Sequence, residues 1–252
     1  MLQIPIVDTK RSSLNTPPVQ NWHRRTESAV SGNTVRDPFT LDELIGRVSG
    51  LKKRTALLGQ TLEGLPLFFG LEDSSPGSIL VVSDHAGGKT ALTMTMAASL
   101  ARLNKPEEVR FAVVTSRPDE WTGLETLYPA HFMKIASSRT VEAENLIYHL
   151  CDLVEGRQNG MHVGTSYMLI FDGMEMLQNM DVDLQANYEW LVRCGSQQQI
   201  WPLSTLNTES MQSNFRFADL FRTRIIGTID NPQAAAQFMP PRLYANPRDG
   251  AG

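Results

Sequence analysis

Cysteine is scarce: this 252-residue chain has two, Cys151 and Cys194. They lie far apart with no metal-ligand spacing, which excludes a disulfide framework and a cysteine metal cluster. They read as reduced, mostly buried thiols of a cytoplasmic protein. An excess of one charge is missing too. The net charge of -4 gives no overall basic signature, so composition supplies no argument for nucleic-acid binding. No apolar run is long enough to cross a bilayer. The start, Met-Leu-Gln-Ile-Pro-Ile, lacks the charged residues and long apolar stretch of a signal peptide. The expected location is the cytoplasm, free or docked to something larger. No repeat recurs at a fixed period. What remains is 41% hydrophobic and 20% charged residues, ordinary for a globular chain and enough for one sizeable α/β core with tails.

Residues 1–39 carry Pro, Ser, Thr and Asn with scattered Arg and no sustained periodicity, and read as a flexible N-terminal arm. Residues 40–55 hold a short helix and a linker. Thr40-Leu-Asp-Glu43 is a capping box, Leu41, Leu44, Ile45 and Val48 share a face, and Gly50 is the expected stop. Lys52-Lys53-Arg54 is expected to stabilise that helix end. Residues 56–238 form the expected main domain, and 239–252, rich in Pro and Gly, a C-terminal tail. The domain opens with a strand pair turning at Glu63-Gly64.

The most informative stretch follows. Ile79–Val82 is apolar and reads as a buried strand, and Ala91–Leu103 as a helix. Between them lies Ser83-Asp-His-Ala-Gly-Gly-Lys-Thr90. Strand, glycine loop, Lys-Thr and helix make the layout of a phosphate-binding P-loop. Backbone N–H groups around Ala86, Gly87, Gly88, Lys89, Thr90 and Ala91 would face one anion, helped by the helix dipole. Lys89 would reach the β/γ-phosphates of ATP, and the Thr90 hydroxyl would ligate Mg²⁺. Two residues depart from the pattern. Ser83 stands where it has Gly, and Asp84 brings a carboxylate that opposes phosphate unless it is turned away.

Val109–Thr115 is the next strand, which completes a βαβ unit and implies a parallel sheet with a right-handed crossover. A short strand is expected over 131–135, a helix from Thr140 to about Gly156, and a strand over Tyr167–Asp172. A carboxylate at the tip of a buried strand beside a P-loop suits Mg²⁺, so Asp172 is the candidate metal ligand with Thr90. The alternative is a strand-end Asp capping a turn. Many ATPases have a Glu directly after this Asp as general base; here Gly173 occupies that place, and Glu175 serves only if the turn brings it back. A helix over 184–195, a strand within 197–206 and a last strand over 221–230 follow. Asn207, at a strand tip, is placed to orient a γ-phosphate or water; a plain turn is equally consistent.

In order and spacing these parts resemble the motor domain of the FtsK/SpoIIIE-like ATPases, within the FtsK–HerA group of ring-forming P-loop proteins. The resemblance spans about 56–238. It rests on Leu58-Gly59 through Leu67, Gly-Gly-Lys-Thr-Ala-Leu92, Phe111–Glu120, Ala143–Arg157, Leu169-Ile-Phe-Asp172, Leu191–Ser210 and Arg222-Thr-Arg-Ile225. It implies a three-layer, RecA-like α/β fold with a mainly parallel central sheet, and ATP and Mg²⁺ as cofactors. It makes Asn207 a polar sensor, and Arg222 or Arg224 a contributor to a neighbouring subunit's nucleotide. It also implies a homo-oligomeric ring, a hexamer among its sizes, acting on DNA or protein, alone or in a larger membrane-associated or DNA-processing assembly. The departures at Ser83, Ala86, Gly173, Gly195-Ser196 and Leu206-Asn207 keep a second reading open: a catalytically reduced nucleotide-binding or structural subunit. A stand-alone kinase fits less well, because no Arg-rich lid is evident.

Overall fold

The computed structural model describes residues 40–48, 50, 53–61, 64–72 and 74–238. The expected arm, tail and Glu63 of the hairpin turn lie outside the described residues.

Thr40 caps helix α1 (Leu41–Gly46) with the reciprocal Thr40–Glu43 bonds of a capping box. The helix stops at Gly46 rather than Gly50, so the basic residues beyond it are not in its last turn. Lys53 instead pairs with Glu108 at 2.7 Å, and Arg54 reaches the Gly164 carbonyl at 3.0 Å. Strands β1 (Thr55–Gln60) and β2 (Pro66–Gly70) form the expected antiparallel hairpin.

The main sheet is parallel throughout. Its strands are β3 (Ile79–Ser83), β4 (Val109–Thr115), β5 (Phe132–Ser137), β6 (Ser166–Asp172), β7 (Ile200–Asn207) and β8 (Thr223–Ile226), in the order β5-β4-β6-β7-β3-β8. The inner strands β3, β4, β6 and β7 are mostly apolar because both faces are covered. Leu80, Val82, Val114, Leu169 and Phe171 face helices α4 (Val141–Gln158) and α5 (Val182–Cys194). Ile79, Val81, Val113, Met168 and Ile170 face the other way, toward helix α2 (Lys89–Leu103) and the hairpin. This alternation places consecutive residues of one strand in two separate cores. The three-layer α/β architecture with a parallel sheet is therefore the one observed.

Boundaries differ where local side chains decide them. His131 belongs to a turn before β5, since its ring stacks on Phe111 and its Nδ1 meets the Val109 carbonyl at 2.9 Å. Helix α4 runs past Gly156, and Arg157 anchors it: the residue is buried and donates to the Gln198 and Thr165 carbonyls. Helix α5 starts at Val182 because Asp181 accepts from Asp183 N–H at 2.8 Å. The last strand is four residues, Thr223–Ile226, rather than ten. Beyond it the chain stays beside β3, with Gly227 N–H donating to Val82 O at 2.7 Å and Thr228 O accepting from Asp84 N–H at 3.0 Å. Short helices follow the last two strands in sequence: α6 (Met211–Ala218) follows β7, and α7 (Pro232–Phe238) follows β8. Another, α3 (Thr122–Leu127), sits between β4 and β5.

Candidate nucleotide site

The site lies at the carboxyl ends of β3, β6 and β7, where a parallel sheet opens its crevice. The 83–88 segment leaves β3 and enters α2 through two left-handed residues, Ala86 at φ 58° and Gly88 at φ 82°. Gly88 suits that conformation because it has no Cβ. Gly87 N–H donates to Asp84 O at 3.0 Å, which tightens the loop, and Leu92 N–H makes the first helical bond to Gly88 O. The N–H groups of Lys89, Thr90 and Ala91 thus sit in the first turn, where a helix lacks internal partners and favours anions.

Lys89 folds back over this loop. Its Nζ donates to Ser83 O at 3.0 Å, Ser83 Oγ at 3.2 Å and Asp84 O at 2.8 Å. These three acceptors match the three donors of an ammonium. Burial holds its pKa below the ordinary lysine value, against the opposing fields of Glu175, Asp172 and Asp84. Ser83 is buried, and its side chain fills space that only glycines leave free. A Cβ on Gly227 would stand 2.9 Å from Ser83 Cβ.

The Asp84 carboxylate is held by two donors from outside the loop. Its Oδ1 accepts from the Thr208 hydroxyl and its Oδ2 from Asp230 N–H at 2.7 Å. Those two bonds hold its pKa below the usual aspartate value.

Thr90 and Asp172 meet as expected. The Thr90 hydroxyl lies 3.0 Å from both carboxylate oxygens of Asp172. A third group fixes that carboxylate: Thr205 Oγ donates to Asp172 Oδ1 at 2.9 Å and accepts from Gly173 N–H at 2.8 Å. The turn after β6 carries Glu175 to Asn207 at the tip of β7. Gly173 is left-handed at φ 100°, and Glu175 Oε1 accepts from Asn207 N–H at 3.0 Å and from the Asn207 side-chain amide. Glu175 and Asn207 are thus one unit beside Asp172.

Arg224 stands apart from this group. It sits on edge strand β8 opposite Leu80, and its guanidinium engages Asp219 Oδ1 at 2.9 Å and the Ala218 carbonyl. Thr205, Thr208 and Asp230 escaped sequence reading. The one available signal for Thr205 was a hydroxyl pair, Ser204-Thr205, inside an otherwise apolar buried strand.

No family model matches the chain, and no curated protein matches it. Solved structures do. It superposes on ATPases 2 and 3 of Thermomonospora curvata EccC, in complex with a signal sequence peptide, with a TM-score of 0.60 and 20% identity over 72% of this chain and 37% of that one. It superposes on the cytoplasmic domain of the type VII secretion ATPase EccC of the same organism with a TM-score of 0.62 and 21% identity over 75% of this chain and 26% of that one. The cytoplasmic domain of EssC gives 0.60 and 14% over 79% and 42%. This chain spans under half the length of these proteins, and what it shares with them is the three-layer α/β fold. Among the described residues no helix is long and apolar enough to cross a membrane.

Proposed function

We propose that this chain binds ATP with Mg²⁺ and acts as a P-loop ATPase unit of the FtsK/HerA kind, coupling nucleotide binding or hydrolysis to the movement of a polypeptide. The observation that carries the reading is Thr90 within 3.0 Å of both oxygens of Asp172, at the start of the helix that Lys89 opens. Two hard oxygen donors beside an anion-binding helix start suit an ion that keeps several waters and bridges phosphates. A bound Mg²⁺–ATP would supply an electrophilic γ-phosphorus and the charge to be stabilised. The chain's own part is to hold it: Lys89 and the loop amides at the phosphates, Thr90 and Asp172 at the ion. Asn207 and Glu175 face the same end, where a carboxylate already bonded to an amide can orient a water.

A polypeptide substrate is favoured over DNA because the fold's neighbours are secretion ATPases, one of them bound to a signal sequence peptide. Assembly into a homo-oligomeric ring within a larger, membrane-associated machine belongs to the same proposal. The second reading, a subunit that binds nucleotide with little turnover, is favoured by Lys89, which is satisfied by Ser83 and Asp84, and by Gly173 in place of a base.

Nucleotide binding and hydrolysis by wild type and Lys89→Ala, with particle size measured with and without ATP–Mg²⁺, test both. Binding with turnover, lost in the variant, supports the motor. Binding without turnover selects the reduced subunit, and no binding by wild type refutes both.

A further inference from the structure

Asp84 has every polar group engaged. Its N–H donates to Thr228 O at 3.0 Å. Its carbonyl accepts from Gly87 N–H at 3.0 Å and from Lys89 Nζ at 2.8 Å. One carboxylate oxygen holds Thr208, and the other holds Asp230 N–H at 2.7 Å. Three segments thus converge on one residue: the P-loop itself, the end of β7, and the chain after β8.

Each of those segments leads to something else. Thr208 directly follows Asn207, whose N–H holds Glu175 at 3.0 Å. Asp230 directly precedes Asn231, whose side chain accepts from Gln233 N–H at 2.9 Å and so caps α7. A carboxylate in an anion-binding loop is unfavourable unless it has such work, because like charges raise the cost of bringing phosphate close. An anion that draws Lys89 to itself removes the Nζ bond from Asp84 O and sets negative charge beside the carboxylate.

We infer that Asp84 is a positioning residue through which phosphate in the loop is transmitted to the ends of β7 and β8, its two carboxylate bonds made without nucleotide and loosened with it. This rests on the ATP reading proposed above. The responsive segments are then Asn207–Thr208, which sets the Glu175 carboxylate, and 228–231, which sets the start of α7.

Amide hydrogen exchange of the full chain, with and without saturating ATP–Mg²⁺, reads this directly; ATP affinity is measured on the same samples. In wild type, exchange over 228–231 rises roughly tenfold on binding, the loss of one hydrogen bond to a charged group. In Asp84→Ala, whose folding is checked by circular dichroism, exchange there is already fast and ATP leaves it unchanged, while ATP binds several-fold more tightly. Thr208→Val, which removes one bond and no charge, keeps a reduced response. Binding by wild type with no change over 228–231, or an Asp84→Ala protein that still responds, overturns the coupling and leaves the ATP reading standing. No binding by wild type refutes the ATP reading, and the coupling with it.

Discussion

Thr205→Val removes the hydroxyl that holds Asp172 and keeps the side chain's shape. Thr205 is 2% exposed and Asp172 6% exposed, so neither group finds water easily when the hydroxyl goes. The hydroxyl donates to an ionised carboxylate at 2.9 Å, a bond worth about 1.5–3 kcal/mol. It also accepts from Gly173 N–H at 2.8 Å, and leaving that donor unpaired costs about 1–3 kcal/mol. The added methyl returns about 0.8 kcal/mol of burial. Thr90 still donates to Asp172 at 3.0 Å, which holds the loss to the lower part of the range. The expected destabilisation is about 2–4 kcal/mol, or a fall in Tm of roughly 5–15 °C for a chain of this size. Urea unfolding followed by far-UV circular dichroism measures it. Thr205→Ser, which keeps the oxygen, recovers most of the loss. If Asp172 holds the ion, the Mg²⁺-dependent part of ATP affinity drops in Thr205→Val and returns in Thr205→Ser. A Thr205→Val protein within about 0.5 kcal/mol of wild type, or a serine variant as unstable as the valine one, refutes the argument.

Gly227→Ala drives a Cβ to 2.9 Å of Ser83 Cβ and is expected to cost about 1–3 kcal/mol; in a Ser83→Gly background most of that cost disappears, as a double-mutant cycle in urea checks. Tyr188→Phe leaves the buried Ser204 hydroxyl without its phenol partner and is expected to lower stability by about 1–2 kcal/mol, read as a shift in urea midpoint at unchanged slope. Cys151 has its pKa pushed up to about 12, first by burial and then by Asp152. Its thiol therefore stays protonated through pH 9.5, so a disulfide reagent titrates Cys194 first and reaches Cys151 only on unfolding, and equal rates at both would contradict the assignment.

Much of this site was legible because its parts are local. An apolar run ending in Asp172, and another ending in a glycine turn with Lys89-Thr90, each announce a strand tip or helix start within a dozen residues. The capping box at Thr40 and the turn at Gly64 were equally readable, since each depends on the chemistry of neighbours. The rest depends on partners far along the chain. Asp84 is a liability in the sequence and a ligand for Thr208 and Asp230 in the fold, and nothing near it says so. Thr205 reads as a polar interruption of a buried strand until β7 is set beside β6. Glu175 and Asn207 meet only because Gly173 takes a left-handed conformation that reverses the chain. Arg224, which with Arg222 the resemblance connects to a neighbouring subunit's nucleotide, pairs within this chain with Asp219, five residues back. The last strand was overestimated because Gly227–Asp230 keeps strand-like company with β3 while following the loop instead of the ladder.

The strand order also sets a timetable for synthesis. Among the described residues, strand β3 pairs with β7 and β8 and with no strand made before them. The ribosome therefore releases the apolar Ile79–Ser83 segment and its glycine loop roughly 120 residues before their first ladder partner. At translation speeds of about 5–20 residues per second, that is on the order of 6–24 s. During this interval both edges of β3 are open, while the β4–β6 ladder, whose members lie closer in sequence, has already become available to close. The last part of the site to be built is thus the part that defines it. Slow translation through the β6–β7 interval would lengthen the exposure of that strand without altering a single residue.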